Sequence, residues 1–296
     1  MDFHQIDTFR AVMQTRSMTM AASQLHTSQP NVSRVIARLQ RETGLKLFER
    51  VGLRLVPTPE AEALLREVER AYVGLQAVRE AAGRIRTLGS GGLRIAVSAA
   101  LGIGLMPQAL QLFRRQRPGV PVTVHTADSA TISQWTAAGY CDFGLASFVA
   151  DADEVVARLL HRERAVCIVP AGHRLARRRK VRAADLAGEP FISLSPADLS
   201  RQRIDKAFDP DLRQLELETP QAATICVMVA RGLGVSIVNP LVYRALQLRG
   251  VTSLAFEPAI DLECHSLHPR GRPEQALVNE FLEAVRRVLH KPATAR

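Results

Sequence analysis

The sequence predicts an α/β protein overall, with a small all-α head at its N-terminus. Three observations predict this. Apolar residues recur at helical spacing in short runs before residue 40. A longer run after Pro59 keeps one apolar stripe. From Leu93 onward, short apolar strands alternate with helical segments. The 296 residues suffice for two or three domains, and 47% apolar residues describe a soluble globular chain with a sizeable core.

Ile6, Phe9, Val12 and Met13 share one face of a first helix over residues 4–15. Met18, Ala21, Ala22 and Leu25 form a second stripe, and Val32, Val35, Ile36 and Leu39 a third. Between these, His26-Thr27-Ser28 is a polar break. Ser28 or Thr27 can cap the following helix, and Pro30 is tolerated in its first turn. No loop fits there, so the two helices turn tightly over one apolar core, which is a helix-turn-helix arrangement. Such a unit lays the N-terminal residues of its second helix against base edges in the major groove of DNA. Gln29, Asn31, Ser33, Arg34 and Arg38 point outward, with Thr27, Ser28 and Pro30 at the helix start. Amide side chains match adenine, a guanidinium forks onto guanine, and hydroxyls bond phosphate oxygens. A merely solvated helix face would carry similar residues. The continuation GLKLFERVGLR favours DNA, because residues 50–54 read as a hairpin turning on Gly52. This wing would bring Arg50 and Arg54 to the phosphate backbone, in a contact that weakens with salt.

From Ala21 to Arg50, the pattern AAxxLHTSQPxVSRxIARLxxxxGLxLFER resembles the LysR-type transcriptional regulators. The resemblance implies DNA contacts at Gln29, Pro30, Ser33, Arg34 and Arg50, and at Arg54. Leu53 stands where many members of that family carry a basic residue.

Thr58-Pro59 supplies a cap and a first-turn proline. Ala61, Leu64, Leu65, Val68, Tyr72, Leu75, Val78, Ala82 and Ile85 then follow at helical steps. The far face carries Glu62, Arg66, Glu67, Arg70 and Glu80, so the stripe needs a covering surface, either a second copy of the chain or the protein's own domain. The resemblance implies the second copy, giving a homodimer or a homotetramer, and two readers on a dimer imply a pseudo-palindromic site. Residues 88–92 (LGSGG) form a linker. The expected domains are a winged helix-turn-helix over 1–58, a linker and dimerisation helix over 59–88, and an effector-binding domain over 89–296.

In that last domain the strand candidates are LRIAV, VPVTVHT, CDFGLAS, RAVCIVP, EPFISL, GVSIVN and VTSLAFE. Helical spacing lies in MPQALQLFRRQ, ISQWTAAG, AATICVMVARG and LVNEFLEAVRRVL. The alternation predicts mostly parallel sheets in two similar lobes. The resemblance implies a periplasmic-binding-protein-like domain, with lobe 1 at about 92–161 and 266–291 and lobe 2 at about 162–265. The chain would cross near Arg162 and return near His265.

Ligands of such sheets bind at the carboxyl ends of strands. Hydroxyl residues stand there at Ser98 (followed by Ala99), Ser129, Ser193 and Ser195, and a further candidate is Thr219 with Gln221. Each alone reads as a helix cap; together they suit a carboxylate. Asp198 would accept an ammonium, or else form a surface ion pair with Arg203. Segments 191–203 and 218–240 resemble the branch of lysine-biosynthesis and opine-responsive regulators. This implies a small-molecule co-inducer such as diaminopimelate, lysine, arginine or an opine.

The formal charge of +10 favours an anionic partner, and double-stranded promoter DNA is the partner the motif selects, with RNA polymerase as a candidate further partner. The basic run 173–182 (HRLARRRKVR) reads as a solvated face rather than a second DNA site. Cys141, Cys167, Cys226 and Cys264 stand far apart, as buried free thiols would, and no metal or other cofactor is expected. Gly102 and Gly104 follow a strand but lack the third glycine of a dinucleotide loop. No nucleophile-base pair or phosphate loop is recognisable, so an enzyme is not expected. The N-terminus lacks a basic-then-apolar signal and no stretch reaches the ~20 apolar residues of a membrane span, so a cytoplasmic location is expected and a secreted solute-binding protein is not.

Overall fold

The computed structural model describes residues 2–51, 54–69, 92–149, 155–196, 198–273 and 275–290. The chain divides into two compact units, Met1–Glu80 and Ala81–Arg296.

In the first unit, α1 (Phe3–Thr15) starts on a capping box in which Asp2 accepts from the Gln5 amide and Gln5 reciprocates. Helix α2 (Met18–Gln24) is capped by Ser17, and α3 (Gln29–Thr43) ends on Gly44 at φ +69°, a left-handed residue that stops the helix. Phe9, Val12, Ala21, Val32, Ile36, Leu39 and Leu47 fill the core between them. Strands β1 (Phe48–Val51) and β2 (Arg54–Pro57) pair antiparallel, Val51 opposite Arg54, and form the expected hairpin. Gly52 and Leu53 lie outside the described residues. The Thr58 hydroxyl donates to the Lys46 carbonyl at 2.6 Å and accepts from the Ala61 amide at 3.2 Å, capping a helix over 59–69, α4. The stripe meets the alternative cover at this end: Ala61, Leu64, Leu65 and Val68 pack on the head's own core. Tyr72 to Ile85, on which the dimer expectation depends, and most of the linker at residues 88–92 lie outside the described residues.

The second unit holds two lobes. Lobe 1 is a five-stranded sheet in the order β4-β3-β5-β13-β6, built from β3 (Leu93–Val97), β4 (Val122–Thr126), β5 (Phe143–Ala146), β6 (Val155–Arg164) and β13 (Asp261–Pro269). Its helices are α5 (Ala99–Gly104), α6 (Met106–Gln116), α7 (Ser129–Ala137) and α11 (Ala276–Leu289). Phe113, Phe143 and Phe281 centre its core. Lobe 2 has a four-stranded sheet, β11-β7-β12-β8, from β7 (Val166–Pro170), β8 (Lys180–Arg182), β11 (Ser236–Val238) and β12 (Val251–Glu257). A parallel pair, β9 (Pro190–Leu194) and β10 (Gln214–Thr219), joins it through a bridge between Phe191 and Val235. Helices α8 (Leu199–Asp205), α9 (Ala222–Ala230) and α10 (Pro240–Leu246) complete the lobe.

Two expectations need correction. The sheets are mixed rather than mostly parallel: β13 runs antiparallel to β5 and β6, and β7 antiparallel to β11 and β12. The β6–β13 ladder continues through Asp261 opposite Arg164, and the Ala165 amide still donates to Ile260. The strand pair therefore runs past the crossing expected at Arg162 and His265, because its hydrogen bonds carry on into the passage between lobes. Residues 99–104, where no dinucleotide loop is expected, form helix α5 with Gly102 and Gly104 inside it.

Candidate DNA-reading face and ligand cleft

Helix α3 divides its residues by chemistry. Val32, Ile36 and Leu39 are at most 2% exposed, whereas Ser28, Pro30, Ser33, Arg34 and Arg38 are exposed and Thr27, Gln29 and Asn31 half-buried. The head core thus fixes which face is offered outward. Ser28 occupies the N-cap position, but its side chain makes no cap bond; instead Asn31 Nδ2 donates to Thr27 Oγ1 at 3.0 Å. Arg34 Nε lies 3.4 Å from the Pro30 carbonyl, along the outer face. Arg38 departs from the rest, because its Nε is held by Glu42 at 2.7 Å and Glu42 also accepts from Gln5. That ion pair raises the Arg38 pKa and draws the guanidinium toward the helix's own C-terminal half. Arg50 is exposed on β1. Arg54 starts β2 beside the undescribed turn, and only its backbone pairing is described.

In the second unit, Val97 pairs with Thr126 and with Leu145, so the carboxyl ends of β3, β4 and β5 share one edge. Ser98 stands there, 8% exposed, its Oγ 3.1 Å from Ser147 Oγ. Ser147 was missed in the sequence, although it ends the strand segment CDFGLAS by the same logic that singled out Ser98. Ser129 opens α7, but the cap is Asp128, which accepts from the Thr131 amide. On lobe 2, Ser193 pairs with Glu218 and Leu194 with Thr219, placing Ser193, Ser195 and Thr219 together. Arg201 ties that end by donating to the Leu194 carbonyl at 2.7 Å and to Glu218 at 2.6 Å. Gln221 is the N-cap residue of α9 without a side-chain cap bond. Asp198 caps α8 through Ser200, and Arg203 turns away from it to the Asp261 carbonyl and over the Phe148 ring.

One apolar cluster joins the two edges. Ala100 and Ile103 of α5 pack with Ile192, Leu194, Ala222, Ile225 and Val242 of lobe 2. Gly104 allows the closest approach, since a Cβ there would stand 2.7 Å from Leu241 Cβ. Ser98 and Ala99 are thereby brought toward the ends of β9 and β10 and the start of α9. Ser129 shares the lobe 1 edge but not this cluster. Two surface cavities, of about 450 Å³ beside Thr58 and about 70 Å³ beside Arg94 and His268, are lined by none of these residues.

The run 173–182 is largely matched by lobe 2 carboxylates: Arg174 with Glu189, Arg178 with Asp185, and both Lys180 and Arg182 with Glu257. All four cysteines are buried and free. Burial pushes Cys141 and Cys226 up to about 11, and Cys167 and Cys264 up to about 12, so the thiols stay protonated. Among the described residues, no cluster of His, Cys, Asp or Glu could hold a metal ion, and no helix is long and apolar enough to cross a membrane.

Residues 3–62 match the model of the bacterial regulatory helix-turn-helix protein, lysR family, and residues 86–290 match the LysR substrate binding domain. The chain is 37% identical over 283 residues to the transcriptional activator protein LysR of Escherichia coli, spanning 95% of this chain and 91% of that protein. It is 35% identical over 283 residues to the regulatory protein NocR of Agrobacterium fabrum, spanning 95% and 94%. It is 34% identical over 240 residues to the octopine catabolism/uptake operon regulatory protein OccR of Rhizobium meliloti, spanning 81% and 80%. Among solved structures, CbnR, a LysR family transcriptional regulator, shares the fold with a TM-score of 0.64 at 19% identity, over 97% of this chain and 99% of that one. CbnR complexed with its target DNA gives 0.62 at 20% identity, over 97% and 99%. These relatives are named as regulators, not enzymes, and with both family models spanning the reader and the two-lobed domain, the chain belongs to the LysR family of DNA-binding transcriptional regulators.

Proposed function

We propose that this regulator reads promoter DNA with the outer face of α3 and responds to an amino acid or amino-acid derivative held between its lobes. The observation that carries the reading is the division of α3, whose apolar face is sealed in the head core while Gln29, Pro30, Asn31, Ser33 and Arg34 stand along the other side. In this proposal those five meet base edges, Thr27, Ser28, Arg50 and Arg54 meet phosphates, and Arg38 contributes charge from its pair with Glu42. Two copies joined through the linker helix, as a dimer or a dimer of dimers, place two readers on one pseudo-palindromic site in the cytoplasm, within reach of RNA polymerase.

The effector reading rests on the hydroxyl-bearing strand ends at Ser98, Ala99, Ser129, Ser193, Ser195, Thr219 and Gln221, with Ser147 added. Hydroxyls and backbone amides suit a carboxylate. Asp198 commits one oxygen to its helix cap, leaving the other for an ammonium. OccR is named for octopine, an amino-acid derivative, which supports the opine and amino-acid class. Ligand binding shifts the arrangement of paired domains only as far as its affinities for the two arrangements differ.

Footprinting on the promoter beside the protein's own gene tests the first part. Arg34→Ala is expected to abolish the footprint with an unchanged melting temperature; an unaltered footprint would remove α3 from the groove. Calorimetry with lysine, diaminopimelate, arginine and octopine tests the second. Binding of one of them, weakened in Ser98→Ala while DNA affinity is kept, is the expected result, and no heat from any of the four sinks the amino-acid proposal.

A further inference from the structure

We propose that Thr27 is a positioning residue that sets Asn31 to read an adenine at one position of each half-site. The proposal rests on the reading of α3 as the recognition helix and adds which base is chosen and what enforces the choice. The Thr27 amide donates to the Ala22 carbonyl at 2.9 Å, so its side chain is held against the end of α2. Its hydroxyl oxygen, 3.0 Å from Asn31 Nδ2, takes one of the two N–H groups of that amide. What remains on Asn31 is one N–H beside the carbonyl oxygen. That pair matches adenine, which offers N7 as acceptor and N6 as donor. Guanine presents two acceptors, N7 and O6, and would set a lone pair against Asn31 Oδ1.

Toward Asn31 a hydroxyl can serve as donor or as acceptor, so Thr27 fixes the amide only if its hydrogen is engaged elsewhere. At the first turn of a docked helix, a phosphate oxygen takes that hydrogen. The phosphate contact then dictates that Thr27 accepts from Asn31, and Asn31 in turn dictates the base. A residue placed to grip the backbone thereby also contributes to sequence choice.

The test uses the full-length protein and a pool of random-sequence duplexes, with the bound fraction sequenced. Asn31→Ala is expected to flatten an adenine preference at one position per half-site, by about tenfold or more. Thr27→Val is expected to weaken the same position and admit guanine there, Thr27→Ser to restore it, and the double variant to be no worse than Asn31→Ala. With wild-type protein, a 7-deazaadenine at that position should lower affinity without any change to the protein. If Thr27→Val weakens all positions evenly, or none, or if Asn31→Ala leaves every preference intact, the inference is wrong. A wild-type pool with no enriched sequence would instead overturn the reading of α3 itself.

Discussion

Arg213 shows how far one side chain can organise a lobe. Its side chain is 0% exposed, with the guanidinium carbon 3.8 Å from the ring centre of Phe208 and 4.7 Å from that of Phe191. Desolvation opposes its charge, but bonds to Asp211 and Asp205 outweigh that and raise its pKa, while the same bond from Arg213 holds Asp211 below the usual carboxylate range. Removing the cation would leave Asp211 without its partner and Asp205 with Arg201 alone, and would take the charge from between two rings. Arg213→Met is expected to cost about 3 kcal/mol, at the low end for a broken buried pair because both carboxylates reach solvent. Denaturant unfolding would read this, and a loss under about 0.5 kcal/mol would show that the phenylalanines suffice without the charge. His265 works in the opposite sense. Burial lowers its pKa despite Glu263 at 3.9 Å, and its Nδ1 is buried without a partner among the described residues. The unfolded chain therefore binds a proton on this ring that the folded one refuses. Stability should fall as pH drops below about 6.5 and level off once the folded-state pKa is passed. His265→Asn should lack that part of the dependence in urea unfolding at pH 7.5 and 5.5; parallel curves for both proteins would contradict it.

Elements differ in how openly their residues announce them. The helix at 59–69 was legible because Thr58 and Pro59 precede a stripe, and Thr58 caps it in fact. Thr58→Ala should cost about 1–2 kcal/mol, since the hydroxyl serves both the Ala61 amide and the Lys46 carbonyl; an unmoved melting temperature would deny the cap its role. Strand β6, VVARLLHRER, was not legible, because an edge strand at a lobe crossing carries cations on both sides of its pleat and lacks a continuous apolar run. Strand β10, QLELET, hides for the same reason: Leu215 is exposed and Glu218 serves Arg201. Helix α5 was absent from the segments that helical spacing picks out, because Gly102 and Gly104 weaken a helical reading. Gly104 has Leu241 backbone 2.8 Å from where a Cβ would stand, so the glycine reflects close packing between lobes. Among candidate site residues, Ser98 and Ser193 stand at the strand ends the spacing assigned them, and Thr219, singled out only as leading into the following helix, stands at the end of β10. Spacing could not reveal that Asp128 rather than Ser129 caps α7, or that Glu42 restrains Arg38, since each depends on a side-chain orientation.

Across the whole molecule, a net charge of +10 poses the question of which cations meet DNA. Affinity for a duplex falls with salt in proportion to the phosphates neutralised, with a slope of about 0.9 per contact on logarithmic axes. A cation already matched by a carboxylate on its own surface contributes little to that slope, because it has already exchanged its counterions for a protein partner. Arg178, Lys180 and Arg182 are matched in this way on lobe 2, whereas Arg50 stands exposed on the wing strand of the reader. Arg50→Ala in both copies of a dimer should reduce the salt slope by about 2, one contact per half-site. Replacing Arg178, Lys180 and Arg182 together by alanine should leave the slope unchanged and shift affinity at one salt concentration by no more than a few-fold, through long-range attraction alone. Fluorescence anisotropy on a promoter duplex between 50 and 200 mM salt, a range of about fourfold, resolves the two cases. A slope that drops for the lobe 2 triple but not for Arg50→Ala would move the phosphate contacts from the winged head to the effector domain, and the division of labour between the two units would have to be redrawn.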